Sequence, residues 1–188
     1  MAASVCGNPP TPLSLSLTIG CSPAWACVQW RWARASTSHR HHIDITGEGG
    51  ALATRKSGSG GFAPYRWRAA VCGEVLQAEG EAYAEFTWVR GYCPMMGVAR
   101  AGVDPSSVDD GLVRTADGWM YYCYTGGHCH TSGNYTPWAS GSQQGIKVGG
   151  MVGLLLRRGS LSVHIGGRQV GVLWTGLSGE LVWAADLG

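Results

Sequence analysis

The sequence predicts an all-β protein, built as an antiparallel two-sheet sandwich or a barrel. Three observations carry this. Glycine supplies 30 of the 188 residues and only 14% are charged, a balance that favours short strands and tight turns over amphipathic helices. From Ile43 onward, no segment sustains an apolar stripe of 3.6-residue period across three turns. Instead, short runs alternate apolar and polar residues, and Gly-containing breaks separate them. With 45% apolar residues and nine tryptophans the chain can bury a proper core, and its length fits one domain.

Each element follows from the local pattern. "GALATR" (50–55) is a short strand closed by the flexible loop "KSGSGG". "YRWRAAV" (65–71) alternates. "EAYAEFTWV" (81–89) is the clearest early strand, with Tyr83, Glu85, Thr87 and Val89 opposite Ala84, Phe86 and Trp88. "MMGVARA" (95–101) is short and apolar, and "GWMYYCY" (118–124) is aromatic-rich. A long irregular loop spans Gly126 to Lys147. Val152, Leu154 and Leu156 then alternate up to a turn at Arg157-Arg158-Gly159. Leu161, Val163 and Ile165 alternate up to Gly166-Gly167, a pair suited to the positive φ angles of a two-residue hairpin. Val170, Val172 and Trp174 resume the alternation, so residues 151–174 read as three consecutive antiparallel strands, and "ELVWAADL" (180–187) closes the series.

In that order, the residues from about Ile43 to the end resemble a SPRY domain. "VLQAEGEAYAEFTWV" is similar to the family's Gly-x-x-Tyr-type approach to a strand carrying an acidic residue. "MMGVAR" resembles its "xxGVA" strand, "DGWMYYCYTGG" its Trp-Gly-Tyr-type strand, and "GIKVGGMVGLLL" its Gly-Asp-x-Val-Gly-x-x-Leu approach. "GSLSVHIGGRQVGVLWTGLSGELVWAA" resembles "GxLSFxxNGxxxGxAFxxLxGxLYPAV", the most specific of the matches. Departures include the basic turn at Arg157-Arg158, Gly166 for the hairpin Asn, Val163 for Phe, and Val182-Trp183 for Tyr-Pro. The resemblance implies a jelly-roll sandwich over 43–188 that ends near where the family has a last loop and strand. The expected activity is non-catalytic: binding of a peptide or partner protein through loops at one end, with no cofactor. A further, faint resemblance links "PLSLSLTIGCSPAWACVQWRWARAS" to the end of an F-box, which implies a substrate-recognition adaptor for ubiquitin ligation.

Composition narrows the partners. A net charge of +2, with basic residues clustered only in "RWAR" and "HRHH", gives no footprint for nucleic acid. No run of about 18 apolar residues exists to span a membrane. Seven cysteines at irregular spacing do not read as a disulfide framework, which favours reduced thiols and a cytoplasmic or nuclear protein. Residues 1–42 contain no Asp or Glu and combine a short apolar run with Ser and Arg, features shared with targeting segments. The reading adopted for 1–42 is a disordered or irregular tail.

Candidate site residues are few. The acidic loop "DPSSVDDG" lies between two predicted strands, as does one of the ligand-contacting loops of SPRY domains, and Trp138 sits beside Pro137 in the long loop. Asp109, Asp110, Arg114 and Trp138 are therefore the expected partner-binding rim, although a loop packed down by its own aromatic accounts for Trp138 equally well. Trp88, Trp119 and Trp174 occupy strand positions and read as core. Cys123, His128, Cys129 and His130 lack CxxC-type metal spacing and read as exposed loop groups, so no metal is expected. His164 reads as a lone surface histidine. Two other classes stay open: a secreted lectin-like sandwich, which needs an acidic cluster for calcium, and a thiol or serine hydrolase, which needs an activated nucleophile.

Overall fold

The computed structural model describes residues 14–18, 32, 43–46, 52–55, 67–108, 110–131, 136 and 144–188. In chain order its strands are β1 (Ser14–Thr18), β2 (Ile43–Thr46), β3 (Leu52–Arg55), β4 (Arg68–Val71), β5 (Leu76–Gln77), β6 (Glu81–Arg90), β7 (Met95–Arg100), β8 (Gly118–Tyr122), β9 (His128–Cys129), β10 (Met151–Arg157), β11 (Ser160–Ile165), β12 (Arg168–Trp174) and β13 (Glu180–Leu187). They form two antiparallel sheets. The seven-stranded sheet runs β12-β11-β10-β6-β1-β3-β2, and the six-stranded sheet runs β4-β13-β7-β8-β9 with β5 also paired to β13.

The alternation read from the sequence sets the inner faces. Ala84, Phe86 and Trp88 of β6, Val152, Leu154 and Leu156 of β10, and Leu161 and Val163 of β11 are all buried in one core between the sheets. Trp183 of β13 reaches this layer from the facing sheet and meets Phe86 edge-on at 6.1 Å. Residues 151–174 form the expected three-strand meander. Arg157 pairs with Ser160 and Ile165 with Arg168, so each turn has two central residues. All four central residues have positive φ (49° and 72° at Arg158 and Gly159, 59° and 76° at Gly166 and Gly167), the sign a type I′ turn requires.

Two parts of the segment 1–42 are described, and both belong to the sandwich. β1 lies between β6 and β3, where Leu15 pairs with Trp88 on one side and with Ala53 on the other. Trp32 forms a bridge to Cys72 and packs against Phe86 at 6.2 Å. The stretch with F-box-like features thus contains a strand, paired on both sides.

A second core lies on the outer face of the six-stranded sheet. Met95, Ala99, Met120, Val182 and Ala184 are covered there by Leu112 and Val113 from the β7–β8 connection. This folded-over connection carries part of the candidate site.

Candidate recognition surface

The β7–β8 connection is held by side chain to backbone bonds rather than by regular structure. Asp104 caps a 3-10 turn at Pro105–Ser107, accepting from the Ser106 N–H at 2.9 Å and from the Ser106 hydroxyl at 2.6 Å. A second 3-10 turn, Leu112–Arg114, is anchored by Asp186 of β13. The Asp186 carboxylate accepts the Leu112 N–H at 3.0 Å and the Val113 N–H at 2.9 Å, and it is fully buried. Burial pushes its pKa up to about 6, outweighing the two N–H bonds, and nearby Asp110 adds to the rise. Gly111 is required beneath it: its φ is +82°, and a Cβ there would lie 2.7 Å from both Asp186 Oδ2 and Trp67 Cβ.

This anchor presents Asp110 and Arg114 at the surface. They form an ion pair of 2.8 Å with side chains 34% and 59% exposed. An exposed pair of this kind contributes at most about 1 kcal/mol to stability, so both groups are available to a partner at low cost. Asp109 and Trp138, the other two residues expected on the rim, lie outside the described residues.

Beyond Arg114 the chain turns to one end of the sandwich, where the Thr131 N–H donates to the Thr115 carbonyl at 3.2 Å. A cluster of rings and one cation occupies this end. Trp119 of β8 stacks on His130 with centroids 5.0 Å apart and planes 12° from parallel. The Arg100 guanidinium, at the end of β7, sits 5.0 Å from the Trp119 ring and also donates to the Ser178 carbonyl. Trp174, at the end of β12, meets His128 edge-on at 4.7 Å and His130 at 5.5 Å. All four rings are half-buried.

Protonation follows from the contacts. His130 Nδ1 lies 2.7 Å from the Gly118 carbonyl and donates to it, since a carbonyl oxygen can only accept. Burial holds the His128 pKa below its usual value, offset in part by a backbone bond to Thr136, so this ring is neutral at pH 7. Among the described residues, His128 Nδ1 and Trp174 Nε1 are buried without a hydrogen-bond partner. Such groups cost free energy until an acceptor or donor reaches them.

Three sequence expectations change here. Cys123, His128, Cys129 and His130 are not exposed loop groups: His128 pairs with Tyr121 and Cys129 with Met120, which buries both cysteines and half-buries both histidines. Trp119 and Trp174 pack against the core but at its rim, whereas Trp88 is inside. His164 is not isolated, since Tyr83 meets it edge-on at 6.0 Å and its Nε2 lies 3.3 Å from the Ser162 hydroxyl. No group of three or more His, Cys, Asp or Glu among the described residues could hold a metal ion. The thiols of Cys72, Cys123 and Cys129 are all pushed up by burial, that of Cys129 to about 12, the opposite of an activated nucleophile.

The sequence matches no known family profile and no curated protein. Solved structures do match. The SPRY domain of human HERC1 aligns with a TM-score of 0.52 at 17% identity, covering 63% of this chain and 73% of its own. A human SPRY domain aligns with a TM-score of 0.54 at 15% identity over 78% of this chain and 88% of its own. This chain has the SPRY fold. The PSpry domain of TRIM65 aligns in the same way, with a TM-score of 0.53 and 18% identity over 85% of this chain and 84% of its own. In this SPRY fold the most specific sequence match, residues 159–185, covers β11, β12 and β13, the first two of them in the meander β10–β12. The ring cluster joins the last residue of that meander, Trp174, to β8 and β9 of the other sheet.

Proposed function

We propose that the protein is a non-catalytic interaction module that grips a peptide or partner protein at the Arg100–Trp119–His130–Trp174 end of the sandwich. The observation that carries this is the ring cluster itself. Half-buried aromatics offer apolar area at little entropic cost, and the unpartnered donors and acceptors beside them select a ligand with matching polar groups. Asp110 and Arg114 extend the surface along the folded-over connection, and Asp109 and Trp138 are proposed to belong to the same rim. Raised thiol pKa values support a binding role over a thiol enzyme.

The test is a pull-down from cells with the intact chain, beside an Arg100→Ala/His130→Ala variant and an Asp110→Ala/Arg114→Ala variant, each checked for fold by circular dichroism. Partners captured by the intact chain are expected to fall at least tenfold in the first variant, as loss of a buried anchor typically costs more than about 1.4 kcal/mol. Equal capture by all three proteins contradicts the assignment of the surface. Co-capture of ubiquitin-ligase subunits is the outcome expected of an adaptor.

A further inference from the structure

The end of the sandwich opposite the ring cluster is apolar and basic. Among the described residues seven large hydrophobic side chains are exposed, and five of them, Val89, Tyr92, Tyr124, Val148 and Met151, sit here. They come from three chain segments, where β6 ends and β7 begins, where β8 turns back, and where β10 begins. Backbone bonds tie the three together. The Gly149 N–H donates to the Trp88 carbonyl at 2.6 Å and the Trp88 N–H to the Gly150 carbonyl at 2.9 Å, which sets Val148 and Met151 beside Val89. The Cys123 N–H donates to the Pro94 carbonyl at 3.1 Å and the Ile146 N–H to the Cys123 carbonyl at 2.7 Å, which sets Tyr124 beside the other two segments. Apolar side chains scattered singly over a surface are ordinary, but five gathered on one end mark a docking surface.

Charge is divided between the two ends. Lys147 is exposed next to Val148. Arg168 is exposed on the β11–β12 turn, which reaches this end because Gly153, near the start of β10, pairs with His164, and Ile165 pairs with Arg168. Arg90, the last residue of β6, is exposed as well. Against these cations stands Asp44, exposed on β2. The exposed acids Glu79, Glu81, Asp117 and Glu180 lie at the other end, where β6, β8 and β13 begin.

We propose that this end docks on the surface of an anionic lipid bilayer, with the apolar side chains entering the headgroup layer and Lys147 and Arg168 meeting lipid anions. Tyr124 and Val148 are each 55% exposed and both stand on turns, not in a groove. A bilayer accepts side chains that project from separate turns, whereas a folded partner needs a surface shaped to them. Tyrosine suits such an interface, because its ring can enter the apolar layer while its hydroxyl stays wet. Apolar burial and attraction to anionic lipid then act together. Docking in this way needs no spanning segment, and it leaves the ring cluster facing away from the membrane.

The experiment sediments the intact chain with phosphatidylcholine vesicles, with and without about one third phosphatidylserine. Binding to the mixed vesicles is expected, weakening as salt rises, and at least tenfold weaker binding to phosphatidylcholine alone. Tyr124→Asp and Val148→Asp are each expected to weaken binding at least tenfold, since each removes an apolar contact and sets an anion against a like-charged surface. Lys147→Gln and Arg168→Gln are each expected to weaken it about fivefold. Val75→Asp is the matched control: Val75 is 51% exposed beside β5 at the far end, and this variant is expected to bind as wild type. Circular dichroism verifies that each variant is folded. The proposal is overturned if the chain does not sediment with the mixed vesicles, if it binds both kinds of vesicle equally, or if the Tyr124 and Val148 variants bind as the Val75 variant does. A dimer of the intact chain that Val148→Asp dissociates, with no vesicle binding, overturns it too and assigns the patch to a second copy.

Discussion

Gly97→Ala is expected to abolish folding or to cost more than about 4 kcal/mol, an exceptional loss for a single methyl group. Gly97 sits in the middle of β7, paired with Met120 on one side and Ala184 on the other. A Cβ at this position would lie 2.0 Å from the Trp119 carbonyl oxygen, 2.9 Å from its carbon and 3.0 Å from Met120 Cα. All three are backbone atoms of β8, so relief requires prising β8 from β7 and breaking the ladder that holds Trp119 in place. This gives a physical reason for the glycine of the "MMGVAR" strand. Gly176→Asn is the matched control, because Gly176 has φ +75° with nothing within 4 Å of a Cβ, and Asn tolerates that conformation. Urea unfolding should show the Gly97 variant unfolded or shifted far below wild type and the Gly176 variant within about 1 kcal/mol. Equal midpoints for the two variants would refute the clash.

Asp186→Ala is expected to destabilise the protein by about 3 kcal/mol, because it leaves the Leu112 and Val113 N–H groups buried without acceptors. The loss should be local as well as global. Without its anchor the Leu112–Arg114 turn lifts, exposing Met95 and Met120 of the second core and displacing Asp110 and Arg114. The same carboxyl predicts a pH dependence of defined sign. Its folded pKa, about 6, stands above the ordinary carboxyl value of 3.8, so the folded state holds the proton more tightly than the unfolded state. Its stabilising contribution is therefore complete below about pH 3 and fades as pH rises from there through 6. Asp186→Asn removes the titration, and the stability difference between wild type and this variant should shift by about 2 kcal/mol between pH 4 and pH 7. Parallel profiles over that range would show that Asp186 does not titrate there.

The strands that could be read from the sequence are those whose signal is local. Phe86 and Trp88 alternate with Glu85 and Thr87 in one continuous run, and the Gly166-Gly167 pair announces its turn within four residues. β1 was harder to see because every second residue of "SLSLT" is polar and small, as in a linker, and its partners lie tens of residues downstream in β3 and β6. The recognition surface is non-local in the same way. Trp119, His128, His130 and Trp174 come from the ends of β8, β9 and β12, and only the closure of two sheets brings them together. Without that closure, a tryptophan on a strand reads as core and a histidine beside a cysteine reads as loop. Asp186 did leave a signal: an acidic residue inside the apolar run "LVWAADL" contradicts its surroundings and so marks a buried polar contact. Its partners, 73 and 74 positions upstream, could not be named from the chain alone.

The most direct measurement of the central claim is amide hydrogen exchange on the protein with and without the first partner captured by the intact chain. Binding at the ring cluster predicts slowed exchange at residues 112–119, 128–131 and 174–179, with the rest of the sandwich unchanged. Protection confined to the outer face of the seven-stranded sheet, around Tyr83, Leu155 and His164, with none at Trp119 or His130, would contradict it.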